Sequence, residues 1–257
     1  MFQIKKATHK RIKKELMSNA IVIIPTYNEI ENIESIIRAV FSQQKNFHVL
    51  VVDDNSPDKT ADKVKALQDE FKAQLFLLER KEKSGLGSAY IAGFRWCLEK
   101  TYDYIFEMDA DFSHNPDDLI RLYNACAVDG ADVSVGSRYV KGITVVNWPM
   151  ARILLSYGAS WYVRLITRMK VKDSTAGFIC YKRAVLEAIN LEKIKFVGYA
   201  FQIEMKFKAH KKGFKIEEIP VIFRDRVKGK SKMSGSIISE AIFGVISLKL
   251  KSLFSKH

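Results

Sequence analysis

Short runs of β-branched and aromatic residues alternate along this chain with longer stretches whose apolar positions recur every three to four residues. The runs AIVIIP (20–25), HVLVVDD (48–54), QLFLLE (74–79), YIFEMD (104–109), ADVSVG (131–136), AGFICYK (176–182) and IEEIPVIFRD (216–225) read as strands. Between them, EIENIESIIRAVFSQ, DKTADKVKALQDEF, LGSAYIAGFRWCLEK, PDDLIRLYNACAV and ARILLSYGASWYVRLITRM carry helical spacing. Strands that are apolar on both sides need cover on both faces. The alternation therefore predicts an α/β fold with a mainly parallel sheet between two helical layers. No repeat of solenoid length and no low-complexity linker interrupts it, and one domain accommodates 257 residues.

In sheets of this kind reactive groups collect beyond the carboxyl ends of the strands. PTYNE follows the first strand, DDNSPD the second and DADFSHNP the fourth. Glu107, Asp109 and Asp111 crowd the last of these, and neighbouring carboxylates repel. On an extended chain Asp109 and Asp111 project the same way and Ala110 the other. A divalent cation such as Mg²⁺ or Mn²⁺, which takes one or two carboxylates plus substrate phosphate oxygens, relieves that repulsion. A solvated strand end turning into the helix at NPDDLI is the plainer alternative, and the spacing leaves both open. Asp53 and Asp54 suit hydrogen bonds from a base or ribose, and Asp58 suits a helix cap. Tyr27 offers an aromatic face and Glu29 a ribose acceptor. KSGLGSAYIAGF adds a glycine-rich helix start, with backbone N–H groups around Gly87 suited to a phosphate or sugar. It lacks the third glycine of a dinucleotide fingerprint.

Charge widens the picture. Lys and Arg total 42 against 29 Asp and Glu, a formal net charge of +13. Such an excess favours a polyanionic partner: nucleic acid, an anionic membrane surface or a phosphorylated substrate. The basic block KKATHKRIKK makes residues 1–19 an arm outside the core. That start lacks the apolar core of a secretory signal, and no uncharged apolar stretch reaches the roughly 18–20 residues of a membrane span. Cys97, Cys126 and Cys180 are dispersed, without CxxC pairing, as expected of reduced thiols rather than a disulfide or zinc site. A cytoplasmic, peripherally membrane-associated protein is expected. Residues 235–257 include an amphipathic helix with Glu240, Gly244, Ser247 and Lys251 on its polar side, better suited to lying in a membrane interface than to spanning it.

Taken in order, IVIIPTYNEIENI, VVDDNSPDKT, GLGSAY, MDADFSHNP, GSRYVKG, NWPMARILLSYGAS, DSTAGFICYKRAVL, GYAFQIEM and FRDRVKGKSKMSG resemble the motifs of dolichyl-phosphate mannosyltransferases. These are polyprenyl-phosphate sugar synthases of the inverting glycosyltransferase family 2. The resemblance spans residues 20 to about 240 and implies a GT-A fold, Rossmann-like, over residues 20–234. It implies that Pro25, Tyr27, Glu29, Asp53, Asp54, Gly87, Arg226 and Lys232 bind the nucleotide sugar, and that Asp109 and Asp111 hold the metal. Ser113 stands where some relatives carry a further Gln ligand. Arg138, Arg152 and Ser156 match an acceptor-phosphate clamp, with Asp109, Asp111 and Arg138 as the catalytic set. A lipid phosphate is already largely ionised at pH 7 and needs cations rather than a general base. Gln202 and Glu204 lie where hydroxyl-glycosylating relatives place a base, and Glu204 is expected to be structural. The implied reaction moves mannose from GDP-mannose to a polyprenyl phosphate with inversion. UDP-glucose-dependent glucosyl transfer is the close alternative. A non-enzymatic basic protein on membrane or nucleic acid leaves the acidic motifs without purpose, so nucleic acid is not an expected partner.

Overall fold

A computed structural model describes residues 18–198, 200–225 and 244–252. The basic arm up to residue 17, Arg226, Lys232 and residues 235–243 and 253–257 of the expected terminal helix lie outside the described residues. In chain order the elements are β1 (Ala20–Thr26), α1 (Ile33–Phe41), β2 (His48–Asp53), α2 (Thr60–Gln68), β3 (Leu75–Glu79), α3 (Leu86–Leu98), β4 (Tyr104–Glu107) and α4 (Leu119–Ala127). Then follow β5 (Val133–Ser137), β6 (Val145–Val146), α5 (Met150–Thr167), β7 (Ile179–Lys182), α6 (Arg183–Ala188), α7 (Ala200–Lys211), β8 (Ile216–Pro220) and β9 (Phe223–Arg224). Residues 244–252 are helical as well.

The main sheet has the order β3-β2-β1-β4-β7-β5-β8. β1 runs parallel to β2 and β4, β2 to β3, and β5 to β8, whereas β7 is antiparallel to both neighbours. Alternate side chains go to opposite faces of a strand, and the core divides accordingly. Val22, Ile24, Val49, Val51 and Phe106 pack beneath α1, α2 and α4. Ile21, Ile23, Leu50, Val52 and Ile105 pack beneath α3, α6 and α7. Each such side chain contributes roughly 1.5–3 kcal/mol on burial, which makes the sheet a rigid base for its loops.

The last expected strand, 216–225, is two. Pro220 lacks the N–H that a continuing ladder needs. The chain leaves the main sheet there, and β9 pairs with the two-residue β6 in a small second sheet. The terminal segment also differs from expectation. Val245 and Leu248 are buried against Val163, Ile203 and Phe207, so part of its apolar side serves internal packing. Gly244, expected on the polar face, abuts Phe196 so closely that an added Cβ would lie 2.7 Å from its ring.

Candidate active site

The order β2-β1-β4 sets three acidic motifs side by side at the carboxyl edge. Each strand reverses through a residue of left-handed backbone: Asn28 (φ 58°), Asn55 (φ 56°) and Phe112 (φ 60°). Asparagine adopts this region readily, whereas a bulky aromatic rarely does. Held strain of this sort at Phe112 marks the loop as one whose shape matters.

β4 ends at Glu107, so Asp109 and Asp111 do not lie on an extended strand, and their spacing alone does not decide where they point. Asp111 is buried and accepts the Ser113 N–H at 3.1 Å. The Asp109 side chain, 36% exposed, accepts from the Tyr90 hydroxyl at 3.4 Å. The Asp109 N–H donates to His114 Nδ1 at 3.0 Å, and the His114 ring stacks on Phe178. Glu107 turns inward, where the Gln202 side-chain amide donates to it. Its complete burial raises the carboxyl pKa, while the Gln202 amide and the nearby Lys206 ammonium oppose the rise. The remaining acid pair offers only hard oxygen donors. Beside it the Ser113 hydroxyl is buried without a hydrogen-bond partner among the described residues. These residues fit Mg²⁺ or Mn²⁺. Among the described residues no cluster of three or more His, Cys, Asp or Glu could hold an ion, so an ion held by this pair would need phosphate and water to complete its coordination.

On the nucleotide side, Thr26 Oγ1 donates to Asp53 at 2.8 Å, and the Ser56 N–H and hydroxyl do so at 2.8 and 2.6 Å. Asp53 therefore organises the β2 turn from inside. Asp54 pairs with Arg80 at 2.8 Å; burial raises its pKa and the guanidinium opposes the rise. Asp58, expected as a helix cap, stands one residue before the cap position, which Lys59 occupies. It accepts the Thr60 N–H at 3.0 Å and also the Ile30 N–H at 3.1 Å, which ties the PTYNE loop to the start of α2. Pro25, near the end of β1, and Tyr27 and Glu29 on the loop after it are half-buried, with the Lys83 ammonium 4.2 Å from the Tyr27 ring centroid. Gly87 departs from expectation. Its N–H is spent on the Val197 carbonyl at 2.8 Å, and an added Cβ would lie 2.7 Å from the Phe201 ring. Close packing of α3 on α7, not an open phosphate cradle, requires glycine there.

Arg138, just beyond β5, is buried and paired with Asp173. Its Nε and Nη2 donate to the carboxylate at 2.7 and 2.6 Å, and its N–H donates at 2.9 Å. The guanidinium lies 5.2–5.5 Å from the rings of Tyr139, Trp148 and Phe223. Arg152 lies over Trp148 at 3.9 Å and donates to Asp225 at 3.1 Å. Ser156, also on α5, accepts from the Tyr139 hydroxyl at 2.8 Å. Two guanidiniums thus meet one indole, whose Nε1 is buried without a partner among the described residues. Phe223 contacts both the His114 ring of the acid loop and Trp148, so the acid and arginine groups share one wall. Sequence reasoning missed Asp173, Trp148, His114 and Arg80. Asp173 and Trp148 stand inside motifs that were legible, but their pairing is tertiary. Glu204 is structural, as expected: it accepts the Lys195 and Phe196 N–H groups at 2.9 and 3.1 Å.

The sheet is that of a GT-A fold, and similarity to known proteins makes the chain a glycosyltransferase. Residues 21–193 match the model of glycosyl transferase family 2, and the chain belongs to that family. It is 46% identical over 229 residues to the polyprenol monophosphomannose synthase of Mycolicibacterium smegmatis, covering 88% of this chain and 84% of that one. It is 44% identical to the undecaprenyl-phosphate mannosyltransferase of Micrococcus luteus, covering 88% and 91%. Identity to the dolichol-phosphate mannosyltransferase of Pyrococcus furiosus is 37%, covering 85% and 60%. In fold it resembles the glucosyl-3-phosphoglycerate synthase of Mycobacterium tuberculosis, solved with Mn²⁺ and UDP (TM-score 0.65, 16% identity, 93% of this chain and 81% of that one). It also resembles a Pyrobaculum calidifontis mannosyltransferase solved with GDP-Man and Mn²⁺ (TM-score 0.58, 16% identity, 98% and 82%).

Proposed function

We propose that this enzyme transfers mannose from GDP-mannose to the phosphate of a membrane-borne polyprenyl phosphate, inverting the anomeric carbon. The observation that carries the reading is the pair of guanidiniums on Trp148, joined by the shared Phe223 wall to an acid pair fit for a metal. An acceptor that is already anionic needs such cations. The one carboxylate at the place of a general base, Glu204, is occupied by backbone N–H groups and by Lys208.

Asp109 and Asp111 would hold the divalent cation, which when bound neutralises charge on the departing nucleoside diphosphate. His114 and Tyr90 steady Asp109 from its backbone and side-chain ends. Tyr27, Glu29 and Asp54 would take the nucleoside, with Asp53 shaping the turn beneath them. Arg226 and Lys232 remain proposed diphosphate contacts. Arg152, partly exposed, and Arg138, locked by Asp173, would seat the acceptor phosphate with Ser156 beside them. Alignment of an anionic oxygen with the sugar carbon then needs no proton removal.

Helix α5 supports the membrane part. Met150, Leu154, Trp161 and Leu165 are 59–67% exposed, and with Tyr157 they recur at helical spacing in one stripe. Arg152, Ser156, Ser160 and Val163 lie on another side of the same helix. No helix among the described residues is long and apolar enough to cross a membrane. A stripe lying in the interface fits a lipid acceptor. The test offers radiolabelled GDP-mannose, GDP-glucose and UDP-glucose with a polyprenyl phosphate and follows label into the lipid phase. Label from GDP-mannose in an alkali-stable, acid-labile lipid supports the reading, and label from UDP-glucose alone overturns the donor.

A further inference from the structure

Lys206, on α7, is fully buried, and no step above uses it. Its ammonium donates to three backbone carbonyls: Ala176 at 2.6 Å, Ser174 at 3.2 Å and Gln202 at 3.3 Å. An ammonium has three donors, so this one is saturated. Two of the carbonyls belong to the loop between α5 and β7, which also carries Asp173 and Thr175. Asp173 holds the Arg138 guanidinium and N–H, and the Thr175 hydroxyl accepts from Arg138 Nη2 at 2.8 Å. Glu218 of β8 holds the loop from elsewhere, accepting the Asp173 and Lys172 N–H groups at 2.9 and 2.7 Å. Burial works against the charge on Lys206, and the Glu107 carboxylate first, then that of Asp173, favours it.

We propose that Lys206 is a positioning residue for the acceptor site: it draws together the carbonyls of Ser174 and Ala176 so that Asp173 fixes the Arg138 guanidinium where the lipid phosphate docks. This rests on the reading of Arg138 given above. Lys206→Met keeps length and apolar bulk while removing the charge and all three donors. The expected result is a KM for polyprenyl phosphate raised about tenfold, with the KM for GDP-mannose and the affinity for GDP with Mn²⁺ within about twofold. In an Arg138→Lys background the same substitution should change the acceptor KM by less than about twofold, because both act through one loop. A full tenfold effect in that background, or acceptor and donor KM rising together as in general loosening of the core, would overturn the proposal. A silent Arg138→Lys overturns the acceptor role of Arg138 itself, and the positioning role with it. Should Lys206→Met fail to fold, Lys206→Gln, shorter, uncharged and with two donors in place of three, should raise the acceptor KM by a smaller factor with the donor KM unmoved, and a parallel rise of both would overturn the proposal.

Discussion

Replacing Leu154, Trp161 and Leu165 together by serine removes the centre of the α5 stripe without touching the buried side of the helix. Full burial of a large apolar side chain is worth roughly 1.5–3 kcal/mol. These three are 66%, 59% and 61% exposed in the folded chain, so about three-fifths of that remains to be gained in lipid. The sum is roughly 3–5 kcal/mol, or about two to three and a half decades in partitioning at about 1.4 kcal/mol per decade. Exposed substitutions change folding stability by only about 0.5 kcal/mol each, so the melting temperature should stay within a few degrees. Co-sedimentation with vesicles containing anionic lipid measures the partitioning directly. Turnover of a short, water-soluble polyprenyl phosphate analogue should be unchanged, which separates membrane docking from chemistry. Unchanged vesicle affinity in the triple variant would refute the role of the stripe.

Two further outcomes follow from the site. Arg152→Ala should lower kcat/KM for the lipid phosphate by about 10–100-fold, the worth of a hydrogen bond to a charged group, with the KM for GDP-mannose unchanged in steady-state assays. Gly87→Ala forces a Cβ to 2.7 Å from the Phe201 ring. Overpacking of that kind costs about 1–3 kcal/mol, visible as a melting temperature lowered by roughly 2–10 °C in a thermal scan.

The strands were legible because continuous β-branched runs such as AIVIIP and HVLVVD are buried on both sides. The direction of β7 was not, since ICYK presents the same apolar pattern whether it runs with or against its neighbours. The acidic turns were legible as positions at one sheet edge. The division of labour within them was not: Asp53 turns inward to Thr26 and Ser56, and Glu107 turns away towards Gln202. Sequence spacing identifies α5 as a helix with apolar residues around it. Which side is covered depends on α7 and the terminal segment, elements distant in sequence. Likewise Arg138 reads as a lone cation until the fold brings Asp173 against it, 35 residues on.

Calorimetric titration of GDP with and without Mn²⁺, into the native enzyme and into Asp109→Asn and Asp111→Asn, tests the acid pair as the seat of the cation that steadies the diphosphate. Native protein should bind GDP at least about tenfold more tightly with Mn²⁺, and either substitution should erase that increment while leaving metal-free affinity nearly intact. An increment that survives in both variants would put the cation elsewhere and contradict the proposed chemistry.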